Sequence, residues 1–99
     1  MTIEEVRAEI TQIDDEIIHL IAQRQNLAKR VAEVKQERGI PVHDSQRKND
    51  VLAYVMKAAK AEHLDPAPVK EIFEILISMN EKEQRVAMGK KVPPKRLVR

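Results

Sequence analysis

Arg24 stands where the sequence asks for an apolar residue. From Ile3 the apolar positions advance by threes and fours through Val6, Ile10, Ile13, Ile17 and Leu20, and they resume at Leu27, Val31 and Val34; Arg24 fills the slot between. A guanidinium turned inward costs free energy unless a negative group meets it. Lys35 lies eleven residues further on, about 20° out of register and so on the same helix face, roughly 16 Å along the axis. Arg47 takes the first inner position of a later helical stretch, and Asn80 and Gln84 extend the stripe of Phe73 and Ile77 with amides. Each has an ordinary explanation alone. Arg24 reads as a register device, Lys35 as a cation well placed for a helix dipole, Arg47 as a surface residue with its stem on the core, and Gln84 as a solvent-facing amide. Together they describe one pocket with three cations, whose natural occupant is an anion. Internal acids to neutralise it are few: Asp14, Asp15 and Glu16 crowd the outer side of the first helix, and Asp44 is engaged as a cap. His19, His43 and His63 share no ligand spacing, so no metal site is expected.

Three helices must carry these residues. Thr2 and Glu5 form a capping box, and Ile3 to Arg38 then runs without Gly or Pro until Gly39 and Pro41 stop it. Asp44 caps a second helix from Ser45 to near Glu62, with Arg47, Val51, Val55 and Ala58 or Ala59 on its inner face. Asp65-Pro66 starts a third that reaches about Met88 before Gly89, its inner stripe being Val69, Phe73, Leu76 or Ile77, Asn80 and Gln84. The expected fold is all-α, one domain over residues 1–89, followed by a basic, flexible tail at 90–99. The first helix, at roughly 54 Å, is too long for two short helices of the same chain to cover. A second copy is the simplest cover, which predicts an intertwined helical homodimer. Arg7 lies about 42 Å from Lys35 along that helix, so it cannot serve the same pocket within one chain. In an antiparallel dimer centred near residue 18 it comes level with about residue 29 of the partner, between Arg24 and Lys35. Two identical pockets, each completed by a partner's Arg7, are expected.

Composition narrows the alternatives. With 99 residues, one Phe, one Tyr and no Trp, the core must be aliphatic; the absence of Cys removes disulfides and thiolate metal sites. Five of the 18 basic residues, Lys90, Lys91, Lys95, Arg96 and Arg99, fall in the last ten positions. The other 13 are outweighed by 16 acidic residues. An acidic body is a poor nucleic-acid platform. No apolar run suffices to cross a membrane, and no basic-then-apolar leader is visible. The expectation is a cytoplasmic protein with neither nucleic acid nor membrane as partner.

Arg7, Arg24, Lys35, the Gly39-Ile40-Pro41-Val42 turn, Asp44-x-x-Arg47 and Gln84 resemble the all-α (AroQ-type) chorismate mutases. Ile13-Asp14-x-x-Ile17 and Leu20-Ile21-Ala22-x-Arg24-x-x-Leu27-Ala28 are similar to the first helix of that family. The resemblance covers about residues 3–88. It implies an intertwined dimer that rearranges chorismate to prephenate, on the route to Phe and Tyr, without cofactor or metal. In that pattern Arg24 and the partner's Arg7 hold the substrate carboxylates with Arg47 nearby, and Lys35 and Gln84 face the ether oxygen. Asn80 replaces a small polar residue near a carboxylate, and Asp44 shapes the loop and offers its backbone to the substrate hydroxyl. The chemistry suits such a set: a dianion undergoing a pericyclic reaction needs a held conformer and stabilised charge on the ether oxygen. A million-fold acceleration asks for about 8 kcal/mol.

One position departs from the pattern. Lys48 stands where the family usually has a Glu that accepts the substrate hydroxyl, and an ammonium cannot accept a hydrogen bond. Isochorismate pyruvate-lyase and 4-amino-4-deoxychorismate mutase activities, which related helical enzymes have, therefore stay open beside the mutase, as does a non-catalytic helical dimerisation module.

Overall fold

Each helix begins and ends where its capping chemistry dictates. The structure, a computed structural model, describes residues 1–89; the tail expected at 90–99 lies outside them. Helix α1 spans Ile3–Arg38, α2 Ser45–Ala61 and α3 Pro66–Ala87. At the start of α1 the Thr2 hydroxyl accepts from Glu5 N–H while the Glu5 carboxylate accepts from Thr2 N–H, which satisfies two otherwise open donors. Gly39 ends the helix in the left-handed region, at φ 67°, where a Cβ would be strained. Asp44 caps α2 and Asp65 caps α3, with Pro66 as its first residue. Between α2 and α3 the chain turns at His63, which takes a positive φ of 61°.

Helix α3 is the middle layer, packed against α1 on one side and α2 on the other, while α1 and α2 do not pack on each other. At 22 residues, or about 33 Å, α3 covers only part of α1. The buried and half-buried residues of α1 therefore begin at Ile21 and comprise Ile21, Arg24, Gln25, Ala28, Ala32 and Lys35. Ala28 and Ala32 are small enough to let the two backbones approach closely. Every residue before Ile21 is exposed, including Ile3, Val6, Ile10, Ile13, Ile17 and Leu20.

Two details of the packing differ from what spacing suggests. The apolar repeat places Arg24 in one continuous seam with Leu27, Val31 and Val34. In the fold the stripe divides: Arg24 lies half-buried on the face toward α3, and the other three remain 44–55% exposed on the neighbouring face. Repeats of three and four fit two adjacent helix faces equally well, and the alanines decide which one meets α3. On α2, Leu52, Val55 and Ala59 form the core, whereas Val51 is only half-buried.

Candidate active site

A cleft of about 340 Å³ opens where the three helices and the loop between α1 and α2 converge. Helix α1 brings Arg24 and Lys35 to it, the start of α2 brings Asp44, Arg47 and Lys48, and α3 brings Asn80 and Gln84. Leu27, Val31, Val42, Val51 and Ile77 supply apolar wall. Arg7 does not reach this cleft; it is exposed near the far end of α1, where its carbonyl accepts from the Thr11 hydroxyl at 3.1 Å.

The cations are held in place without being neutralised. Arg24 Nη1 donates to Asn80 Oδ1, and Asn80 Nδ2 donates to Gln25 Oε1 at 2.5 Å. That chain fixes which end of the amide faces the guanidinium. The Phe73 ring lies beneath the same guanidinium, 5.7 Å from its centroid, within cation–π range. Lys35 Nζ donates to the Val42 carbonyl at 2.7 Å, which leaves two of its three N–H groups for a ligand. Asp44 Oδ1 accepts from Arg47 N–H at 3.0 Å, so this acid is occupied as a cap. The other acid of the cleft, Glu81, lies 3.0 Å from His43 Nδ1. Among the described residues, none of Arg24, Lys35, Arg47 and Lys48 forms an ion pair with a carboxylate.

Burial lowers the pKa of Arg24 from its ordinary value, and repulsion by Arg47 lowers it further. Both causes disfavour the charged form. An anion entering the cleft opposes both. Gln84 is buried, and its Oε1 has no hydrogen-bond partner. A half turn of the amide puts the NH2 group in that place, where it can donate to a ligand oxygen. The arrangement offers fixed positive charge and donors. The histidines stand elsewhere: His43 is at the rim beside Glu81, and among the described residues no three His, Asp or Glu side chains gather as a metal site.

Spacing alone missed Gln25, Glu81 and His43. The first two lie on helix faces that look like ordinary solvated surface. His43 sits in a loop, where no periodicity forecasts the direction of its side chain.

Comparison with known proteins shows what the chain as a whole is similar to. Residues 6–85 match the family described as chorismate mutase type II. A chorismate mutase of Methanocaldococcus jannaschii is 40% identical over 81 residues, which cover 82% of each chain. Bifunctional chorismate mutase/prephenate dehydratases also match. That of Aquifex aeolicus is 28% identical over 90% of this chain, which spans 26% of that longer protein. That of Escherichia coli K12 is 32% identical over 73% of this chain and 19% of its own length.

Proposed function

The chain belongs to the chorismate mutase type II family, and on that premise we propose that its cleft is the place where chorismate is rearranged to prephenate. The activity is an isomerisation: the ether C–O bond breaks, a C–C bond forms, and no atom enters or leaves. One observation carries the assignment of the site. Among the described residues, four cations line a single cleft, and neither of the two acids there is paired with any of them.

In this reading Arg24 binds one substrate carboxylate, oriented by Asn80 and Phe73, and Arg47 adds to the field around it. Lys35, anchored on the Val42 carbonyl, turns its free N–H groups to the ether oxygen, and the Gln84 amide donates from the other side. Negative charge grows on that oxygen as the bond breaks, so donors already in place stabilise the transition state more than the ground state. Leu27, Val31 and Val51 press the substrate into the folded conformer. Lys48 donates to the substrate hydroxyl in place of the usual Glu, and Asp44 keeps the loop closed beside it. A hydroxyl at that position suits Lys48 better than an amino group, since an ammonium there would face a like charge.

The exposed apolar stripe on the first half of α1 supports a homodimer as the working form. The partner's α1, running antiparallel, covers Ile3 to Leu20 and brings its Arg7 to the cleft for the second carboxylate. No helix among the described residues is long and apolar enough to cross a membrane. A cytoplasmic location belongs to the same proposal and fits a chain without cysteine. The test is incubation with chorismate and, separately, with isochorismate, the products being identified by NMR. Prephenate from chorismate is the expected result. Pyruvate and salicylate from isochorismate, with chorismate untouched, would overturn it.

A further inference from the structure

We propose that His43 is a positioning residue that keeps the Glu81 carboxylate away from the four cations of the cleft, so that they stay open to a dianion. This rests on reading the cleft as the substrate site. Glu81 lies on α3 between Asn80 and Gln84, lines the same cleft as Arg24, Lys35, Arg47 and Lys48, and has a side chain only 19% exposed. A carboxylate so placed has a natural use for any of those cations. Among the described residues it pairs with none of them; its Oε2 is held 3.0 Å from His43 Nδ1.

The clasp is built from all three helices. His43 Nε2 stands 3.0 Å from Ser45 Oγ at the start of α2, while Nδ1 reaches Glu81 on α3. The preceding residue, Val42, is buried and accepts from Lys35 of α1. A neutral ring with its proton on Nδ1 donates to Glu81 and accepts from the Ser45 hydroxyl; a charged ring donates to both. The clasp therefore holds in either state of the ring. Lys35 and Arg85 border the hollow beside His43, Asp44 follows it in the chain, and Lys35 also lines the cleft with Glu81, which makes it an alternative partner for a freed carboxylate. Released from His43, Glu81 would compete with the substrate's own carboxylates for the same donors. It would do so in the ground state, so the effect belongs to KM more than to kcat.

The experiment compares four proteins with the wild type: H43A, H43N, E81Q and the double variant H43A/E81Q. Circular dichroism and thermal melting check that each is folded, and KM and kcat are measured with chorismate. H43A is expected to raise KM about tenfold, the order of moving an existing carboxylate closer to a dianion's binding cations at the effective dielectric of a protein cleft. H43N keeps a donor where Nδ1 stands and stays within about twofold of wild type, and H43A/E81Q returns to a similar level. A structural role for His43 would not be cured by neutralising a residue on another helix. A double variant as weak as H43A, or an H43A whose KM does not move, would overturn the proposal. Wild-type turnover reads the assignment of the reaction separately. If the wild type left chorismate unchanged, titrating the same proteins with prephenate would still decide: recovered affinity in the double variant sustains the proposal, and its absence defeats it.

Discussion

In the proposed mechanism the chemistry turns on Lys35, because among the described residues its ammonium is the one cation of the cleft fixed by a backbone carbonyl. Lys35→Ala is expected to lower kcat by about 10²–10³, the usual loss of a donor to a developing oxyanion. Helix content should be retained, since the side chain is only half-buried and the contact it loses is to a loop. Asn80 tests the other end of the site. Asn80→Asp places a carboxylate against Arg24, and KM measured with chorismate should rise by at least about tenfold, because Arg24 then arrives already neutralised. The lowered pKa of Arg24 has a definite sign: in the fold the charged form is the disfavoured one. An arginine stays protonated throughout the working pH range. That penalty is therefore present at every such pH, and a bound anion relieves it. The type and helix phase of these residues were legible in the sequence, since cations and amides on apolar stripes stand out against aliphatic neighbours. The Glu81–His43 pair was not, because a loop side chain and a residue on a charged helix face carry no periodic signal.

At the scale of the elements, caps and lengths were the most readable part of the chain. Thr2 with Glu5, Asp44, Asp65-Pro66 and Gly39 each announce a boundary by a local hydrogen-bonding rule that distant packing cannot change. The faces were harder. The repeat groups Arg24 with Leu27 and Val31 because it fits both sides of the helix, and it favours Val51 over Leu52 for the same reason. What decides is which face lets α3 approach, on α1 the one with Ala28 and Ala32, a relation between elements distant in sequence. The first half of α1 exposes a row of aliphatic side chains along about 26 Å of helix. Fully burying each is worth about 1.5–3 kcal/mol. Ile13→Glu sets a charge in the middle of that row. Analytical ultracentrifugation should find the wild type as a dimer and the variant as a monomer of reduced thermal stability. A wild-type monomer, or a variant that pairs as well as the wild type, would remove the reason given for the helix's length.

The whole molecule follows from one mismatch, a helix of 36 residues served by a partner helix of 22. The uncovered half is apolar and exposed, and in the proposed dimer a second protomer covers it and gives Arg7, at its far end, a place to go. The length of α1 was legible in the sequence, and the expectation of a partner rests on it. The grouping of Arg24, Lys35, Arg47, Asn80 and Gln84 in one pocket was legible from helix phase, whereas the shape of the cleft was not, because it depends on the loop at Val42 and on how α2 leans across α3. Complementation between two inactive variants tests the composite site most directly. Arg7→Ala and Lys35→Ala proteins are each prepared, mixed in equal amounts, allowed to exchange subunits, and assayed with chorismate. In a mixed dimer one site keeps both Lys35 and the partner's Arg7, while the other loses both. Random exchange should therefore restore about a quarter of wild-type turnover from two nearly inactive parents. A mixture no more active than its components after exchange, or an Arg7→Ala protein as active as the wild type, would contradict the account.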